Sequence, residues 1–128
     1  ISMPIPTVKD LKIFVPTKDY EVSIEFYTKL GWTLNWKSDG LAEVELAGQR
    51  RLLQKYYAKQ WAHNFMVYLM VEDVQDWYEH AADLLREKSY GEAKVQPPKK
   101  EDDGAIVTYI HDPCGVLLHC AEEVKQEA

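Results

Sequence analysis

The chain has four histidines, two cysteines and several closely spaced carboxylates, so the first question is whether spacing lets any of them act together. His63, His80 and His111 read as lying in a loop, on a helix and at the edge of a turn, which scatters them. His119 lies on a strand, and a lone strand histidine is more often a hydrogen-bonded core or cleft residue than a metal ligand. Cys114 and Cys120, close together near the end, suit reduced core thiols better than a disulfide framework. Neither cysteine has a histidine and carboxylate arrangement that spacing can justify, and Ser23 lies on a helix face, so nothing supports a nucleophilic enzyme. Glu43 and Glu45 fall on one strand face and read as solvent-facing polar positions rather than a catalytic dyad. No glycine-rich phosphate loop occurs, and acid–base work by His119 would need a pKa that sequence does not display. No catalytic residue is assigned.

The elements that must position these groups belong to a chain of 128 residues, enough for one domain (1–128) with a real core. Hydrophobic residues are 46% and charged residues 28% of it, a globular composition with no apolar run near the roughly 20 residues of a membrane span. Ile1 to Pro6 shows no basic patch followed by an apolar stretch, so the cytoplasm is the expected location. A net charge of −6 without a basic stripe argues against nucleic acid and would favour a cationic ligand.

Leu11 to Pro16 reads as a first strand, closed by a proline. Thr17 or Asp19 can cap a helix in which Val22, Ile24, Phe26, Tyr27 and Leu30 recur at helical intervals, and Gly31 stops it. Trp32 to Lys37, Leu41 to Ala47 and Arg51 to Tyr57 read as strands around two turns. The second half repeats the order: strand Phe65 to Val71, helix Val74 to Lys88, then strands Ala93 to Gln96, Ala105 to Ile110 and Val116 to Cys120. The second helix should bury Val74, Trp77, Tyr78, Ala81, Leu84 and Leu85. Lys99 to Gly104 reads as a polar loop, Asp112-Pro113-Cys114-Gly115 as a tight turn, and Glu122 to Ala128 as a frayed charged tail. The predicted fold is α+β, with two βαβββ modules (about 7–62 and 63–124), one main helix in each, forming a curved mixed-sheet cleft.

Asp19-Tyr20-Glu21-Val22-Ser23-Ile24-Glu25-Phe26-Tyr27, then Leu30-Gly31-Trp32, Val71-Glu72-Asp73-Val74, and Asp112-Pro113-Cys114-Gly115 leading to His119 follow one another across nearly the whole chain. In order and spacing this set resembles the glyoxalase, bleomycin-resistance and extradiol-dioxygenase superfamily, also called vicinal oxygen chelate. Each mark also has a plain structural reading as cap, core or turn, so the set identifies a scaffold and not a reaction. The resemblance implies that metal-dependent members would place ligands at Lys12, Gln54, Met66 and His119. Only His119 is a strong ligand there and Gln54 a weak one, whereas Lys12 and Met66 suit no common catalytic metal.

In length and pattern the chain is most similar to the metal-free bleomycin-resistance type, which sequesters a cationic drug between protomers of a dimer. Trp36, Leu53-Gln54, Asn64, Tyr68 and the closing His119-Cys120-Ala121-Glu122-Glu123 carry that similarity. It implies aromatic walls at Trp36 and Tyr68 for flat or cationic guests, against the plain reading of both as core. One departure is that Lys99 to Gly104 lacks the aromatic followed by glycine usual in drug-binding relatives, so one stacking wall is missing. The function this suggests is a small-molecule binder, a homodimer without cofactor, whose groove is lined by Phe14, Trp36, Gln54, Met66, Tyr68 and His119. The alternatives are a lyase, isomerase or dioxygenase that uses a divalent metal held by His119 and Gln54, and an interaction protein that uses the scaffold only to dimerise.

Overall fold

A computed structural model describes residues 4–123. Strand β1 (Ile13–Pro16) leads through Asp19, whose side chain accepts the Val22 N–H, into α1 (Tyr20–Leu30), and Gly31 at φ 135° ends that helix. Strands β2 (Thr33–Lys37), β3 (Leu41–Leu46) and β4 (Gln49–Gln54) follow, and the first sheet has the order β1-β4-β3-β2 with β1 parallel to β4. After the short helix α2 (Lys59–His63) come β5 (Met66–Met70), α3 (Val74–Glu87), β6 (Lys94–Val95), β7 (Lys99–Lys100), β8 (Ile106–His111) and β9 (Leu117–Glu122). The second sheet runs β5-β9-β8-β6 with β5 parallel to β9, repeating the first, and β7 also pairs with β8. In both sheets the outermost strand pairs in parallel with the last strand of its half, an arrangement that requires the intervening helix as a crossover. The fold is thus mixed α+β with two mixed sheets.

Several boundaries differ from the sequence reading for identifiable reasons. Strand β4 starts at Gln49 rather than Arg51 because Ala47 (φ 53°) and Gly48 (φ 76°) form a two-residue hairpin turn that lets Leu46 pair directly with Gln49. It ends at Gln54 because the Thr17 N–H donates to both Gln54 O and Tyr56 O, bending the chain out of the ladder. Helix α2 replaces a predicted loop, so His63 closes a turn of helix; Ala58 gives it no side-chain cap. Within the predicted polar loop, Lys99 and Lys100 pair with Val107 and Ile106, a strand imposed by its neighbour and not by propensity. Glu122, read as tail, still belongs to β9, and residues 124–128 of that tail lie outside the described residues.

One face of each sheet is buried against the helices. Val15, Ala42, Val44 and Leu53 from the first sheet join Ile110, Leu118 and Cys120 from the second, with Ile24, Phe26, Tyr27 and Leu30 of α1 and Ala81 and Leu84 of α3, in one cluster. On α3, Val74, Ala81 and Leu84 are buried as expected, while Trp77, Tyr78 and Leu85 are only partly covered. Cys114 and Cys120 are free thiols in this core, as their spacing suggested. A deep polar link joins the two halves: Tyr27 Oη donates to Asp112 Oδ2 at 2.7 Å, and Asp112 Oδ1 accepts the N–H groups of Cys114 and Val116 at 2.9 Å each. The Asp-Pro-Cys-Gly turn is therefore held from inside.

Candidate functional site

Period-two alternation turns every second strand residue away from the core, and the predicted site residues fall on these outer faces. Phe14 pairs with Leu52 and Trp36 with Glu43 on the first sheet, where Gln54 ends β4 opposite Leu41. Phe14 is 46% and Trp36 41% exposed, so neither ring is core. Glu43, expected to face solvent, is instead only 4% exposed. Lys12 Nζ lies 2.5 Å from its Oε1, and Asn35 Nδ2 donates to its Oε2 at 2.8 Å. The register shift between Leu34 and Trp36 is what lets Asn35 reach both Glu43 and Glu45, a bulge the alternating pattern did not signal. The Lys12 ammonium, and then the Asn35 amide, hold the Glu43 carboxyl below its ordinary value. Lys12 Nζ also sits 5.8 Å from the Trp36 ring centroid, a cation–π distance.

On the second sheet, register aligns Tyr68, His119 and Tyr109 in one row across three strands, flanked by Met66 with Leu117 and by Met70 with Ala121. Tyr68 stacks near-parallel on His119 (centroids 6.2 Å, 25°), and Tyr109 meets the same imidazole edge-on at 5.0 Å. Both phenols donate to carboxylates, Tyr68 Oη to Glu123 at 3.2 Å and Tyr109 Oη to Glu101 at 2.9 Å. The Glu101 bond first, and then desolvation, raises the Tyr109 phenol above its ordinary value; desolvation and then the Glu123 bond raise Tyr68. Both are donors at neutral pH. Tyr109 and Glu101 were missed in the sequence because Glu101 sits in a charged run whose register with β8 only the fold defines. Tyr109 supplies a ring on the face where the Lys99 to Gly104 segment lacks one. Tyr68 (52% exposed) and Met66 (64%) are open to solvent.

Phe14, Trp36 and Gln54 thus occupy one sheet and Met66, Tyr68 and His119 the other. Among the described residues no hydrogen bond or ring contact joins the two sets. A recess of about 720 Å³ lies elsewhere, between Lys18, Glu21, Lys37, Asp39 and Lys55 near the start of α1. Lysines and carboxylates make up most of its lining, together with Tyr20 and Ser38.

A divalent metal does not fit the positions that the resemblance points to. Lys12 is a cation already engaged by Glu43, Met66 offers a thioether, and no group of three or more His, Cys, Asp or Glu among the described residues converges as a metal site. No helix of the described residues is long and apolar enough to cross a membrane.

A family model described as "Glyoxalase/Bleomycin resistance protein/Dioxygenase superfamily" matches residues 11–120. No curated protein matches the chain in sequence. Among solved structures, the chain is similar to a bleomycin resistance determinant encoded on the transposon Tn5, with 18% identity, TM-score 0.74, and 92% of this chain and 100% of that one covered. It is also similar to TnmS3, an antibiotic-binding protein from Streptomyces sp. CB03234 (20% identity, TM-score 0.70, 96% and 100% covered). A lactoylglutathione lyase from Agrobacterium tumefaciens matches as well (18% identity, TM-score 0.66, 91% and 95% covered). At these identities the likeness is one of fold.

Proposed function

Because the chain belongs to the glyoxalase/bleomycin resistance protein/dioxygenase superfamily, we propose that it is a metal-independent binding protein that sequesters a flat or cationic organic molecule in a cleft completed by a second copy of itself. The observation that carries this reading is the open row of Tyr68, His119 and Tyr109 with the carboxylates of Glu123 and Glu101 at its edge. Ring faces attract planar and cationic groups, and adjacent carboxylates strengthen the preference for positive charge. The neighbours named as a bleomycin resistance determinant and an antibiotic-binding protein support ligand capture on this scaffold.

A dimer is proposed because Phe14, Trp36, Met66, Tyr68 and Met70 leave large apolar surface uncovered on both outer faces of one chain. Phe14, Trp36 and Gln54 of one protomer would then face Met66, Tyr68 and His119 of its partner. The misfit of Lys12 and Met66 as ligands weighs against the metal-dependent lyase reading.

The test is a fluorescence titration with a planar aromatic cation, such as an acridinium dye, against a neutral tricycle of similar shape. Saturable binding that prefers the cation and is weakened by Tyr68→Ala, at unchanged melting temperature, is the expected result. If Tyr68→Ala lowers only the melting temperature and leaves dye affinity unchanged, the site is misplaced.

A further inference from the structure

Two residues beyond Tyr109 on β8, and on the same outer face, stands His111, paired with Lys94 on β6 and with Leu117 on β9. Around it lies a recess of about 240 Å³ bounded by His63, Glu92, Lys94, His111 and Gly115. The recess is built by fixed backbone. The Glu92 N–H donates to Pro113 O at 2.9 Å, and Gly115, at φ 99°, leaves the space into which His63 fits, since a Cβ there would lie 2.7 Å from His63 Nε2. His63 Nε2 is 3.7 Å from Glu92 Oε2, too far for a hydrogen bond. His111 Nδ1 is buried and has no hydrogen-bond partner among the described residues.

The groups facing His111 are Lys94 from β6, His63 from α2 and His119 from β9, with Glu92 across the recess. Burial, and then Lys94 and His63, push its imidazole below its ordinary value, so the cations of this recess crowd one another, with Glu92 as the one carboxylate among the described residues that line it. A metal is a poor candidate, because His63, Glu92 and His111 line the recess without forming a group that could hold a metal ion, and the Lys94 ammonium stands at the wall.

We propose that this recess is a second binding site, independent of the cleft proposed above, that takes a small oxyanion, the carboxylate or phosphoryl group of a metabolite-sized molecule. Lys94 supplies the charge, imidazole N–H groups of His63 and His111 donate, and Glu92 is the resident anion that the ligand displaces. The chemistry sets a sign on every variant. Removing Lys94's charge weakens an anion, removing Glu92's charge tightens it, and a cation would show both effects reversed.

The experiment titrates sodium acetate and, separately, inorganic phosphate into the full chain at constant ionic strength, reading the histidine Cε1–H resonances by NMR. Saturable shifts of the His63 and His111 signals are expected. Acetate keeps a constant charge between about pH 6 and pH 8, so its tightening as pH falls reports imidazole protonation. Lys94→Met should weaken binding roughly fivefold and Glu92→Gln should tighten it by a similar factor, as one charge at about 4 Å in a water-exposed site predicts. A response to both anions assigns a generic oxyanion site, and a response to phosphate alone assigns a phosphoryl site; either supports the proposal. No saturable shift, a shift that neither variant alters, or a Glu92→Gln variant that binds more weakly overturns it.

Discussion

Replacing Tyr27 by Phe removes one oxygen atom and tests the polar link between the two halves of the fold. The ring would keep its edge-on contacts with Phe26 and Trp32, so no cavity opens beyond the hydroxyl itself. What is lost is the 2.7 Å donation to Asp112 Oδ2, in a site where Asp112 is fully buried. A hydrogen bond to a charged group contributes about 1.5–3 kcal/mol, a factor of about 10 to 150 in the folding equilibrium. The loss should depend on pH with a definite sign. Burial raises the Asp112 carboxyl above its ordinary value, and the Tyr27 hydroxyl, with the Cys114 and Val116 N–H groups, pulls it back down. A carboxyl raised in the folded state contributes stability that is fully present below its unfolded pKa and is lost as pH rises through the folded one. Without the Tyr27 donor the folded value rises further, so the penalty on the mutant grows as pH rises and Asp112 ionises, and shrinks as acid protonates it. Urea denaturation followed by tryptophan fluorescence at pH 7 and near pH 4 reads both effects. A loss below about 0.5 kcal/mol at pH 7, or a gap that widens on acidification, would refute the argument.

Glycine substitutions should rank by what surrounds them. Gly48→Ala, at φ 76° with open space around it, should cost about 1 kcal/mol, whereas Gly91→Ala, where a Cβ would meet the Pro113 carbonyl oxygen at 2.6 Å, should cost at least 1 kcal/mol more; equal denaturation midpoints would contradict this. Both thiols should resist a thiol-specific reagent in the native protein at pH 8, since burial drives Cys114 far up and Cys120 to about 12, and both should react in guanidinium; stoichiometric native labelling would show that the core opens. Protein purified without a metal-affinity step should contain no stoichiometric divalent ion, and its melting temperature should not rise with zinc, nickel, cobalt, manganese or iron; a clear rise would return the enzyme reading to first place.

The order of elements was legible in the sequence because it rests on local chemistry. Asp19 and Asp73 cap their helices through side-chain oxygens, Gly31 stops α1, and alternation in Leu41 to Leu46 marks a strand, each a signal contained in a few neighbouring residues. The marks that identify the family are of the same kind. The position of Phe14, Tyr68 and His119 on outward faces also follows from period two once strands are placed, whereas alternation puts Trp36 on the face of core-packed Leu34 and the bulge between them turns it outward. Burial at a polar position was not legible, as Glu43 shows: only the pairing of β2 with β3, and the bulge that admits Asn35, covers a carboxylate that alternation alone assigns to solvent. Nor were α2, a five-residue turn of helix too short to show a periodic pattern, and β7, a two-residue strand held by its pairing with β8. The row of Tyr68, His119 and Tyr109, and the meeting of His63 with Glu92, Lys94 and His111, join residues far apart in the chain. Sequence determined which residues are available and, where no bulge intervenes, which way a strand residue turns, because these depend on one chain segment at a time. Which of them share a wall was decided by strand register and chain crossing, which depend on contacts between segments that no local pattern records.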